Sequence, residues 1–374
     1  MARKFTLVLL LGLLFTRALS AQTTFPVMTA FQDAILYAGP GDSHIQLRWL
    51  PAGVPVEARE RNVIGNWLFV STPDDGIRGW VPTGYLNANP DLHLSDIPIN
   101  AEIPDGDPAN VPALSVASLY ATPIISPVSA AMLDVFARGQ ELGNRAHVIT
   151  KVGDSLTADP MYLTVISQEA VVLGPYDYLA DTVSYYGEST ALASVAAQIG
   201  MATYTVFDPM WADPALCNAG ESPLECDYRR KLPSIAFIMF GPNDVLHNNA
   251  EEFAQNMRDI VEFTLERGII PVLSTFSYSP ENEYWWQSVD FNQAVIDVAA
   301  EYEVPLINLW AAARPLDNYG LETTDGTHMN RSGFTFLKYD SGHESWYGLS
   351  LRNLLSLKML DDLRLALISD EPGD

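Results

Sequence analysis

The sequence predicts an α/β protein: a doubly wound, five-stranded parallel sheet preceded by a small all-β unit. Three observations carry that prediction. From about residue 115 onward, short apolar runs alternate with stretches of helical spacing, as they do when helices cover both faces of a parallel sheet. Residues 24–88 instead hold short apolar and aromatic runs separated by Gly39-Pro40-Gly41, Pro51-Ala52-Gly53 and Asp74-Asp75-Gly76, the punctuation of an all-β segment. Between the two, residues 89–114 spread Pro90, Pro98, Pro104, Pro108 and Pro112 among Asp, Asn and Gly without a sustained period, which reads as a linker.

The chain starts with a leader. Arg3 and Lys4 precede the apolar run Phe5–Phe15, and Ala18-Leu19-Ser20 offers the small residues that a signal peptidase reads. A membrane span needs roughly 17–25 apolar residues, and Arg17 stops this run short of that. No cysteine follows to carry a lipid anchor. Residues 1–20 are therefore expected to be a cleaved signal peptide, and the mature protein to be secreted and extracellular.

Within the all-β unit, Trp67-Leu68-Phe69-Val70 and Gly79-Trp80-Val81 are expected to pair through a turn at Asp75-Gly76. Asp105-Gly106-Asp107 in the linker lacks the rest of a calcium loop and reads as a turn. In the α/β part, strands are expected at 147–152, 203–207, 234–240, 269–276 and 304–309. Helices are expected at 191–199, 251–267, 291–302 and 351–368. Phe253, Met257, Ile260, Val261 and Leu265 share one face of the second, which Gly268 ends. Five strands in this order suit a flavodoxin-like domain.

Charge and cysteines bound the chemistry. The net charge is −25, and loss of the leader's three basic residues takes it to −28. Such an anionic protein repels phosphate backbones, which argues against nucleic-acid binding. Cys217 and Cys226 share a polar loop, and an oxidising compartment favours a bridge between them over two free thiols. No further ligand at zinc spacing accompanies them.

Three motifs carry the functional signal. Gly153-Asp154-Ser155-Leu156 ends the first predicted strand, Gly241-Pro242-Asn243-Asp244 ends the third, and Asp325-Gly326-Thr327-His328 follows the fifth. In an open parallel sheet, ligands bind beyond the carboxyl ends of the strands, so these segments meet on one rim. They supply a hydroxyl nucleophile, an amide donor, and an imidazole with a carboxylate three residues away, the groups that acyl transfer through serine requires. Taken singly, each has a blander reading: a helix cap or turn for Asp154 and Ser155, an Asx-turn for Asn243, a surface histidine for His328.

Residues 145–368 resemble the SGNH (GDSL-type) hydrolases in these three blocks. The resemblance implies that Ser155 is the nucleophile, His328 the base and Asp325 its carboxylate. It also implies an oxyanion hole built from the Ser155 amide, Asn243 and one further glycine, for which Gly187 is the candidate. Asp154 would hold the turn, and no cofactor or metal is implied. Asp340-Ser341-Gly342-His343 repeats the Asp-x-x-His spacing, so His343 stands as the alternative base. His247 would sit near substrate or merely on the surface. Residues 24–88 resemble a bacterial SH3-like domain in Leu36-Tyr37-Ala38-Gly39-Pro40, Asn66–Val70 and Gly76–Val81, implying a five- or six-strand barrel. Such a barrel binds a cell-wall or peptide ligand or simply packs on its neighbour.

Tyr278, Tyr284, Trp285 and Trp286 in the segment 274–288 either form a platform for sugar rings or cover the core. The expected activity is that of a secreted serine esterase acting on an acylated glycan, as an O-acetyl esterase. The alternatives are an O-acyltransferase on the same scaffold and a non-catalytic wall- or glycan-binding protein.

Overall fold

The computed structural model describes residues 25–41, 44, 46–63, 65–72, 78–87, 94, 97–100, 116–167, 171–279, 282, 284–331 and 338–368. The expected signal peptide, the Asp75-Gly76 turn and most of the 89–114 linker, with Asp105–Asp107, lie outside these residues.

The N-terminal unit is all β. Its strands are β1 (Val27–Ala30), β2 (Ala34–Tyr37), β3 (Gln46–Leu50), β4 (Pro55–Arg61), β5 (Trp67–Ser71), β6 (Arg78–Pro82) and β7 (Leu86–Asn87). They form one sheet in the order β3-β2-β6-β5-β4-β1-β7, seven strands where five or six were expected. The expected β5–β6 pairing is present, antiparallel, with Phe69 opposite Trp80. Alternation along the strands turns Leu36, Val56, Leu68, Val70 and Val81 into a small core of its own. Phe31 packs against the larger core of the α/β part, and Asn87 Nδ2 donates to the Tyr319 hydroxyl at 3.1 Å.

The α/β part runs α1 (Val116–Ala121), α2 (Ala131–Glu141), β8 (Arg145–Gly153), α3 (Ser155–Ala158), α4 (Ala180–Thr190) and α5 (Pro223–Lys231). It continues β9 (Pro233–Met239), α6 (Ala250–Glu266), β10 (Ile270–Ser274), α7 (Trp285–Glu301), β11 (Leu306–Ile307), α8 (Leu309–Ala313) and α9 (Gly348–Ile368). The sheet is parallel, in the order β11-β10-β9-β8. Every residue of β9 and β10 is buried, as expected of strands covered on both faces.

Among the described residues this corrects the expected strand count from five to four. Residues 203–207 form turns, because their polar side chains offer the backbone other partners. Asp244 accepts from the Thr203 N–H at 2.9 Å and from its hydroxyl at 2.5 Å, and Thr205 Oγ1 accepts from the Ala202 N–H at 2.9 Å. The place beside β8 is taken by a single parallel bridge between Gly153 and Ala197, inside the segment 191–199 expected to be helical. That segment is kept out of a helix by Asp227, which accepts from the Val195 N–H, and by Ser194, which accepts from the Ala196 N–H. The helix lies just upstream, as α4.

Two further expectations change. Helix α7 begins at Trp285, six residues early, so Trp285 and Trp286 belong to its first turn. The last helix, expected to be amphipathic, is buried nearly all round in its first half: Leu349, Ser350, Arg352, Asn353, Leu354, Leu355, Ser356 and Leu357 are all covered.

Cys217 and Cys226 are joined in a disulfide. It closes a loop whose Ser222 and Glu225 form a capping box on α5, while Arg229 pairs with Glu221 at 2.6 Å. Replacing both cysteines by serine is expected to lower stability by about 2–3 kcal/mol through the freed unfolded chain. Urea unfolding of the oxidised protein beside the double variant checks this, and coincident curves would show the bridge to be neutral.

Candidate active site

Strand β8 delivers its last residue, Gly153, against β9 so closely that a Cβ there would lie 2.2 Å from the Met239 carbonyl oxygen. Its φ of +157° and this contact both select glycine. Asp154 then caps the one-turn helix α3, accepting from the Leu156 N–H at 2.9 Å. Ser155 is the first residue of that turn, and its Oγ is left facing the rim.

Across the rim, Ser155 Oγ lies 2.9 Å from His328 Nε2, and His328 Nδ1 lies 2.8 Å from Asp325 Oδ2. The second Asp325 oxygen accepts from the Thr327 and His328 N–H groups, both at 2.9 Å. The carboxylate thereby folds its own loop around the ring it orients. Burial pushes the Asp325 carboxyl up, but the hydrogen bonds from Thr327 and His328 outweigh it and hold the group below its ordinary range. An ionised acceptor at Nδ1 leaves Nε2 free to accept from Ser155. The His328 and Asp325 side chains are 49% and 44% exposed, so this rim is open to water.

Gly241 begins the turn after β9 at φ +134°, where a Cβ would strike the Phe276 ring at 2.0 Å. Asn243 follows on the same rim, half-buried, with Nδ2 donating to the Met201 carbonyl at 2.9 Å. That bond uses one of the amide's two N–H groups and fixes its plane. Asp244 beside it is buried, and burial pushes its carboxyl up even though Thr203 and Asn248 donate to it.

Gly187 has a different place from the one the sequence suggested. It is buried in the middle of α4, where its N–H belongs to the helix's own i→i−4 ladder and is not available to an oxyanion. The sequence reading missed the segment 201–203, whose Met201 carbonyl accepts from Asn243. His343 packs edge-on to Tyr347 at 5.4 Å and tilted to Trp346 at 6.1 Å. His247 is exposed on the Asn243 side. Tyr278 is core, edge-on to Phe276, so it cannot serve as a sugar platform.

The site also rests on residues that the sequence reading passed over. Arg352 of α9 is fully buried: Nη1 donates to the Leu156 carbonyl at 2.6 Å and Nη2 to Thr157 Oγ1 at 3.0 Å. Its guanidinium lies over the Tyr162 ring, 3.6 Å from the centroid. Asn353 accepts from the Leu163 N–H at 2.7 Å. The only early signal was the polar pair itself, set in a leucine-rich helix. Beneath the same turn, Asp154 is fully buried and its Oδ2 has no hydrogen-bond partner among the described residues. Desolvation pushes this carboxyl up to about 7, although the Leu156 N–H and the Arg352 charge pull it down.

A wide depression of about 820 Å³ lies elsewhere, lined by Asn144, Leu232 and Ile269 with the disulfide loop. Those residues precede β8, β9 and β10, so it opens at the amino ends of the strands, away from Ser155.

Residues 152–335 match the family model of the GDSL-like lipases/acylhydrolases. Similar solved structures include a lipase/acylhydrolase from Enterococcus faecalis, 20% identical over 58% of this chain and 95% of that one, with a TM-score of 0.39. An acetylxylan esterase from Geobacillus stearothermophilus, in a catalytic mutant, is 16% identical over 58% and 95%, at 0.38. A GDSL-like lipase from Bacteroides thetaiotaomicron is 13% identical over 62% and 98%, at 0.33. Likenesses this distant say nothing about substrate. No curated protein matches the chain.

Proposed function

Since the chain carries a GDSL-like lipase/acylhydrolase domain over residues 152–335, we propose that Ser155, His328 and Asp325 hydrolyse a carboxylic ester by acyl transfer through Ser155. The observation that carries this reading is the continuous relay from Ser155 Oγ to His328 to Asp325, at 2.9 and 2.8 Å. His328 Nε2 takes the Ser155 proton as Oγ attacks the ester carbonyl, and the imidazolium is stabilised by Asp325. The oxyanion of the tetrahedral intermediate is received by the Ser155 N–H and by the second N–H of Asn243 Nδ2, with Gly187 taking no part. Collapse transfers the proton from His328 to the leaving alcohol. A water, deprotonated by the same ring, then releases the acid and restores Ser155. The exposure of His328 and Asp325 supports water as acceptor over a second alcohol.

The leader and the all-β unit support a secreted enzyme acting on O-acyl groups of an extracellular glycan, with the N-terminal unit holding a wall or peptide ligand. Hydrolysis of p-nitrophenyl acetate and butyrate by the mature protein tests the reading. Acetate ester is expected to turn over faster than butyrate. His328→Ala is expected to cost at least about 10³-fold in kcat, and His343→Ala less than about threefold. The reverse order of the two histidine variants would transfer the base to His343.

A further inference from the structure

Beside the nucleophile turn lies a second cavity, of about 320 Å³, lined by Lys151, Thr157, Ala158, Asp159, Thr164 and Ser194, among others. Ala191, Ala193 and Ala197 add small apolar side chains to its lining. Lys151 stands two residues before Gly153 on β8 and is only 6% exposed. Its ammonium donates to the Tyr162 carbonyl at 3.0 Å and to Thr164 Oγ1 at 3.2 Å, both neutral groups. An ammonium has three N–H groups, and these two bonds leave one.

The nearby carboxylates are committed elsewhere. Asp227 pairs with Lys231 at 3.1 Å and accepts from Thr150, while Asp159 pairs with Arg331 at 3.4 Å and accepts from the Met161 N–H. Among the described residues, no ion pair includes Lys151. A buried cation whose neighbouring carboxylates are already paired with other cations is under-compensated, and an anion from outside the chain would relieve it. Burial, with the charges of Lys231 and Arg352, lowers this amine to about 8, against the opposite pull of Asp159 and Asp227.

We propose that this cavity binds a carboxylate, held by the Lys151 ammonium and the Ser194 hydroxyl, with its carbon chain against Ala191, Ala193 and Ala197. Ser194 Oγ accepts from the Ala196 N–H, so its own hydrogen is free to donate. A single ammonium with Asp159 in the wall suits a monoanion better than a doubly charged phosphate. The cavity shares the turn 155–159 with the nucleophile. If the chain is the esterase argued above, the carboxylate is either the acid it releases or an acid group carried on its glycan substrate.

The test titrates full-length Ser155→Ala protein with sodium acetate, acetamide and inorganic phosphate, following ligand signals by saturation-transfer NMR. That readout needs no turnover, so it stands or falls apart from the esterase reading. Acetate is expected to bind, acetamide and phosphate at least about tenfold more weakly. Lys151→Met should remove the preference. Ala193→Trp, at an exposed position on the cavity wall, should block binding without disturbing the core. Equal binding of acetate and acetamide, or acetate binding unchanged in Ala193→Trp, overturns the proposal. In the active protein, acetate inhibition of p-nitrophenyl acetate hydrolysis that disappears in Ala193→Trp identifies the released acid as the ligand. A preference for free-acid over methyl-esterified O-acetyl uronates that disappears in the same variant identifies the substrate's acid group.

Discussion

Ser155→Ala is expected to lower kcat for p-nitrophenyl acetate by about 10⁴–10⁶-fold while leaving the fold untouched. The substitution deletes one oxygen, whose side-chain hydrogen bond runs to His328. The turn that carries it is built from other groups: the Asp154 cap on Leu156, the Arg352 bonds to Leu156 and Thr157, and the close pass of Gly153 by Met239. Stability should therefore change by less than about 0.5 kcal/mol, as for a surface substitution. Steady-state kinetics and thermal unfolding of the same preparation separate the two effects. A variant that kept more than about a hundredth of the activity would place the nucleophile elsewhere.

The second large effect concerns pH. Asp154 is fully buried and its carboxyl, ordinarily near 3.8, is pushed up to about 7 by desolvation. Between about pH 4 and 7 the unfolded chain has released a proton that the folded chain keeps. Asp154 therefore makes stability fall as pH rises through that window, by about 4 kcal/mol at most, and no further above it. Asp154→Asn keeps the oxygen that accepts from Leu156 and cannot ionise. Its stability relative to wild type should climb from pH 4 to pH 7 and then level off. The carboxyls of Asp244 and Asp290 are also raised by burial, and that of Asp325 is lowered. All three remain in both proteins; Asp290 and Asp325 cancel in the difference, while Asp244, whose charge helps raise Asp154, shifts slightly once that neighbour cannot ionise. Parallel urea-unfolding curves across this range would mean that Asp154 is already ionised in the folded protein at pH 5.

Much of this molecule was legible in the residues, for reasons that can be named. The motif glycines are fixed by local geometry, since Gly153 and Gly241 sit where a Cβ would meet backbone or ring at about 2 Å. The strands at β9 and β10 are continuous apolar runs that only a covered sheet accommodates. The segment 191–207 was misread because its conformation is imposed from a distance: Asp227 and Asp244 take its N–H groups, and neither contact leaves a periodic trace. Gly187 was misplaced for the same reason. Its Tyr-Tyr-Gly-Glu-Ser surroundings carry no sign of the helix that consumes its amide. Lys151 and Arg352 were invisible as site residues because what makes them unusual is burial, which no single position in a sequence declares.

Helix α9 also has a bearing on when the enzyme becomes active. Arg352 and Asn353 brace the turn at Ser155 from α9, across separations of 196 and 190 positions from Leu156 and Leu163. A chain folded only as far as His328 has β8 and Ser155 yet lacks the brace that holds the serine's turn. The geometry on which the proposed reaction depends is therefore completed only when α9 has docked on that turn.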